Sequence, residues 1–170
     1  MSRLPASTNA DWARALAETE RDADERVRKT RERASQTRQR YAQAAAAMLV
    51  RLHALFDGAA AAFNEGPSPG PVDVSPLKGG GFVVSRDARR LTVLKTSDWN
   101  VIFSFSAQPK IDDLALLSRV DGDGIGWRLY RKAADNDRLE PVPREPRDLA
   151  DVVVQRLFRR LVHPARGDRR

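Results

Sequence analysis

"ERVRKTRERASQTRQRY", residues 25–41, holds nine charged side chains in seventeen positions, seven of them basic. Its reading decides the fold, because it is either the middle of one long helix or a separate basic arm. No glycine or proline occurs from Ala6 to Asp57, so nothing in the backbone chemistry interrupts a helix there. Small and apolar residues recur at alternating steps of four and three: Ala23, Val27, Thr30, Ala34, Thr37 and Tyr41, then Ala44 and Met48. That alternation is a heptad seam. From Met48 to Leu52 the step of four is repeated, which locally unwinds such a seam. The seam also changes character. Before Tyr41 it is small and polar; after it come Met48, Leu52, Leu55, Phe56 and Phe63.

The spacing therefore predicts one helix. It begins near Ser7–Asn9, with Thr8 and Asp11 spaced as a capping box, and ends near Phe63 before "NEGPSPGP" (64–71). Such a helix is roughly 80 Å long, whereas a compact domain of this size is roughly 30 Å across. Residues 1–40 are expected to project as a coiled-coil candidate, with Ser35–Thr37 as the place for any kink. Residues 41–163 are expected to form the compact domain, and 164–170 a flexible basic tail.

Beyond a Pro- and Gly-rich loop over 65–80, five strands are expected. "GFVVSR" turns at Asp87–Arg89 into "RLTVLK", and a second turn at Ser97–Trp99 leads to "NVIFSFSA". In this last run Val101, Phe103, Phe105 and Ala107 alternate with Ile102, Ser104 and Ser106, the pattern of a half-buried strand. "LALLSRV" and "IGWRLYRK" flank "DGDG" (121–124), a hairpin signal. Short connections without helices imply an antiparallel meander. The stretch "ADNDRLEPVPREP" reads as a loop, and Pro146, Asp148 and Asp151 suit the start of a final helix. Leu149, Val153, Leu157 and Leu161, with Val152, Val154, Phe158 and Val162, give that helix a broad apolar face. The expected class is α+β: a long N-terminal helix, a five-stranded antiparallel meander, and a C-terminal helix packed with the inner half of the first helix on one sheet face.

The net charge is +7 and the isoelectric point about 10.5, with 25 Arg against 5 Lys. A basic balance favours polyanionic partners. The excess is uneven: residues 1–66 carry +2, 67–145 carry +1 and 146–170 carry +4. The absence of cysteine excludes disulfides, thiolate metal sites and cysteine nucleophiles. No hydrophobic signal core opens the chain, and no apolar run approaches the ~18 residues of a membrane span. A cytoplasmic protein without a membrane partner is expected.

Catalytic chemistry has little material. "DGDGIG" places Asp121, Asp123 and Gly126 at calcium-loop spacing, but Ile125 and Lys132 stand where ligands are needed. Asp112–Asp113 and "DND" (135–137) are simplest as loop residues. The two histidines, His53 and His163, suit a helix surface and a helix end. "KGGGF" (78–82) has the wrong order for a phosphate loop. Neither an enzyme, a metal site nor a cofactor is expected.

Nucleic acid is the alternative partner. The contacts would come from Arg26, Arg28, Lys29, Arg31, Arg33, Arg38 and Arg40, with Arg156, Arg159 and Arg160. Yet no Asn lies between Asn9 and Asn64, so the adenine-reading residue of a basic-zipper arm is missing. "DGIGWRLY" (123–130) departs from an RNA-recognition strand at Asp123 and Ile125. Only sequence-independent phosphate attraction remains. Against it, Asp22–Arg26, Asp24–Arg28 and Glu25–Lys29 have the acid-before-base order that supports a solvated helix. The leading expectation is a non-catalytic interaction or scaffold protein. It would self-associate, or dock on a protein partner, through Ala23, Val27, Thr30, Ala34, Thr37 and Tyr41.

Overall fold

The computed structural model describes residues 9–67, 70–105, 114–121, 124–132, 138–142 and 149–163. Helix α1 runs without interruption over Asn9–Asn64, straight through Ser35–Thr37. Seven strands follow: β1 (Asp73–Pro76), β2 (Phe82–Arg86), β3 (Arg89–Ser97), β4 (Asn100–Phe105), β5 (Leu114–Asp121), β6 (Gly124–Lys132) and β7 (Leu139–Pro141). Helix α2 (Leu149–Val162) closes the order. The chain divides into two units, Met1–Gln39 and Arg40–Arg170, and α1 contributes to both. The class is thus α+β, with a long N-terminal helix, an antiparallel sheet and a C-terminal helix.

The sheet has seven strands where five were expected, in the sequential order β1 to β7 with every neighbour antiparallel. The two added strands lie at its edges. Each is short, and each contains a proline: Pro76 opposite Phe82 and Pro141 opposite Tyr130. β7 shows no alternating apolar pattern, and the alternation at β1 is confined to Val72 and Val74 within a Pro- and Gly-rich stretch, so both sequences read as loop. Proline is tolerated there because an edge strand needs only one of its two rows of backbone bonds. The turn positions 122–123, and the expected positions of Thr8, Ser106, Ala107, Pro146, Asp148 and the tail 164–170, lie outside the described residues.

Alternation places one face of the sheet in the core. The register sets Phe82 beside Val93, Val93 beside Phe103, and Phe103 beside Leu114, all at most 1% exposed. A second row joins Val101, Leu116 and Leu129. Leu52, Phe56 and Ala60 of α1, spaced four apart, cover this face together with Val153, Leu157 and Leu161 of α2. Phe82 meets Phe56 at 5.7 Å between centroids and His53 edge-on at 4.8 Å. Arg51 and Asp151 link the two helices at 2.9 Å.

Two polar devices set the helix ends. Asn64, the last residue of α1, donates its amide to the Val72 carbonyl at 2.9 Å and accepts from the Val72 amide at 2.8 Å. This reciprocal pair returns the chain toward β1. At the end of α2, Arg86 donates to the Val162 carbonyl at 2.9 Å and Arg89 to the Leu161 carbonyl at 3.4 Å. Both cations thus sit where the helix dipole is negative and its carbonyls lack helical partners. The Arg86 guanidinium also lies over the Phe63 ring at 5.0 Å, and Phe63 meets Phe158 at 5.9 Å.

Gly81 enters β2 with φ +117°, and a Cβ there would come within 2.4 Å of the Val93 carbonyl oxygen. Gly79 has φ +99° with open space around it. Gly81→Ala should therefore lower the denaturant midpoint more than Gly79→Ala. The latter should cost about 1–2 kcal/mol from its left-handed backbone alone. Equal effects would remove the close approach as the cause. Replacing Arg86 by Ala should destabilise the 40–170 unit by about 2 kcal/mol through loss of the carbonyl cap and the ring contact. Chemical denaturation at unchanged m-value would measure it.

Candidate interaction surface

Every described side chain of α1 from Asp11 to Arg40 is exposed. Large apolar groups are among them: Trp12 at 67%, Leu16 at 45% and Val27 at 49%. Of the expected seam, Ala23, Val27, Thr30, Ala34 and Thr37 are exposed and Tyr41 is half-buried. Thr30 donates its hydroxyl to the Arg26 carbonyl at 2.8 Å, and Thr19 to the Ala15 carbonyl at 2.9 Å. Both hydroxyls are thereby satisfied within the helix, which leaves these threonines able to offer a methyl group to a partner.

The seam extends further than its sequence reading. Trp12, Leu16 and Thr19 continue it toward the N-terminus by steps of four and three, before a repeated four from Ala23 to Val27. The signal was present but masked by the surrounding alanines. With the second repeated four at Met48–Leu52, the stripe from Trp12 to Leu52 covers forty residues in eleven steps, about 3.6 per turn. A stripe with the period of an undistorted helix follows its axis and imposes little supercoil.

The ten expected nucleic-acid contacts divide between the units. Arg26, Arg28, Lys29, Arg31, Arg33 and Arg38 lie in the first; Arg40, Arg156, Arg159 and Arg160 in the second. Lys29 pairs with Glu25 at 2.7 Å as expected. Arg28 reaches forward to Glu32 at 4.0 Å, although Asp24 was its expected partner. Arg38 and Arg40 also have interaction partners. On α2, Arg160 lies over the Phe105 ring at 5.6 Å, so its cation already has an aromatic face to rest on.

The charges of α1 are segregated along its length. Residues 9–25 hold six acids and two arginines; residues 26–40 hold seven bases and one acid. The basic stretch is thus one half of an opposed pair of charge blocks.

Other candidates are weaker. A cleft of about 450 Å³ in the 40–170 unit has Ala46, Leu49 and Val50 of α1 on one side and Gly79, Gly80 and the Lys95–Asp98 turn on another. Lys95 and Asp98 pair at 3.6 Å, so the cleft's fixed charges oppose each other and its lining is mainly apolar. Among the described residues, no three His, Asp or Glu side chains gather as metal ligands would. Asp112, Asp113, Asp123, Asp135 and Asp137 lie outside them. His53 is held by Asp57 at 2.9 Å and by the Phe82 ring, and His163 is exposed just after α2. Contrary to the sequence reading, one 18-residue window of α1 reaches a mean hydropathy of 1.3, so by length and composition α1 is able to cross a membrane. In this fold Leu52, Phe56 and Ala60 of the same helix are core residues.

The Lys29 ammonium, by its hydrogen bond and then its charge, holds the Glu25 carboxyl below the usual glutamate range. The folded pKa is depressed, so this contribution to helix stability is present above the unfolded pKa and lost as pH falls through the folded one. A carboxyl-carbon NMR titration should show the Glu25 midpoint below the usual glutamate range, and Lys29→Gln should raise it. No protein-family model, curated protein or solved structure matches the chain.

Proposed function

We propose that the protein is a non-catalytic interaction protein that self-associates through the N-terminal half of α1. One observation carries this reading: a continuous stripe with Trp12, Leu16 and Val27 stands exposed on a helix of 56 residues. Helices in proteins draw most of their stability from packing an apolar face, and the described side chains of α1 from Asp11 to Arg40 are all exposed. A second helix along the stripe supplies it. The small Ala23 and Ala34 allow close approach, while Trp12, Leu16 and Val27 provide most of the burial.

A phosphate-binding role for Arg26–Arg40 is the competing reading. The adjoining acidic block weighs against it, because the six acids of residues 9–25 would repel the polyanion that the bases attract.

Sedimentation equilibrium should show a reversible dimer at micromolar to tens of micromolar concentration. Leu16→Asp with Val27→Asp should shift it to monomer and lower the helical signal at 222 nm, leaving the denaturant midpoint of the sheet domain unchanged. A wild-type monomer with full α1 helicity throughout that range would overturn the reading.

A further inference from the structure

The charge blocks of α1 also specify the direction of association. We propose that two copies pair antiparallel, with the two-fold axis passing between Arg26 and Val27. This inference rests on the self-association proposed above and adds its register.

The seam itself supports that axis. With its centre there, Leu16 of one copy faces Thr37 of the second, Thr19 faces Ala34, and Ala23 faces Thr30. Trp12 and Tyr41, the two aromatic residues of the stripe, face each other at both ends. Each pair joins the two alternating kinds of seam position, as antiparallel helices require, and Val27, half a residue from the axis, meets Val27 of the second copy. The flanks agree. Glu20 comes beside Arg31 of the second copy, and Asp22 beside Arg33, each within one helical turn. The two-fold axis makes four such pairs. Beyond them, Asp11 comes near Arg40 and Glu18 near Arg33.

A parallel, in-register pair has the opposite electrostatics. It sets Arg33 against Arg38 of the neighbouring helix on both flanks, and the acidic blocks side by side. Like charges at such positions destabilise a helix pair by about as much as opposite charges stabilise it. The same seam therefore selects the antiparallel partner through charge, while its apolar residues supply the attraction.

The chain has no cysteine, so single engineered thiols report the register directly. Thr19→Cys and Ala34→Cys proteins, each carrying a tag of different mass, would be oxidised mildly alone and mixed. The antiparallel register predicts a mixed disulfide as the main product, with little from either protein alone. Self-linking of each variant alone would overturn it in favour of a parallel pair. A stable dimer in sedimentation that gives no disulfide in any mixture would overturn the register while leaving self-association standing. A monomer would overturn both. As a second measurement, Arg31→Glu with Arg33→Glu should weaken the dimer on the order of tenfold at low salt. Adding Glu20→Arg and Asp22→Arg to the same chain should recover most of that loss. Failure to recover, with helicity intact by circular dichroism, would count against the assigned pairs.

Discussion

One face of the sheet is too apolar to meet water, and the rest of the 40–170 unit is arranged to cover it. Phe82, Val93, Phe103 and Leu114 form a continuous row across four strands. A meander has no helices between its strands, so the cover comes from the chain's two ends. The inner turns of α1 and the whole of α2 share the task, and each presents residues four apart: Leu52, Phe56 and Ala60, then Val153, Leu157 and Leu161. Arg86 joins the three components. It belongs to β2, caps the last carbonyls of α2, and rests on Phe63 of α1.

Much of this was legible because burial leaves a period in the sequence. The alternation in "NVIFSF" marks β4, and the repeat in "LADVVVQRLFRRLV" marks α2. The edge strands were too short to show more than a trace of such a mark. "LEP" is exposed and held by backbone pairing, which places no demand on side-chain polarity, and "DVSP" turns only Val74 toward the core. Arg86 was hidden for a different reason. Its partner is a carbonyl 76 residues away, and the spacing of charged residues carries no trace of a contact made by folding. Asn64 is similar: an asparagine at a helix end is unremarkable until Val72 returns beside it.

The candidate surface was partly legible. The seam from Ala23 to Tyr41 was visible as alternating steps, but its strongest apolar members, Trp12 and Leu16, sit among alanines that blur the pattern. The basic stretch suggested a polyanion, and the acids weighed against it were only its intrahelical neighbours Asp22, Asp24 and Glu25. Set beside residues 9–25, it becomes one member of a complementary pair. A net charge of +7 says nothing of this, since a sum discards the order in which charges occur.

The prolines at the sheet's margins bear on how copies of the chain avoid one another. A seven-stranded sheet with two open margins is a template for growth, each margin able to recruit a strand from a neighbour and begin a fibre. Pro76 and Pro141 remove an amide from β1 and β7, and both strands are only three or four residues long. Indefinite stacking of sheets is thereby discouraged at both margins. The proposed pairing through α1 would then face no competition from strand addition at these margins.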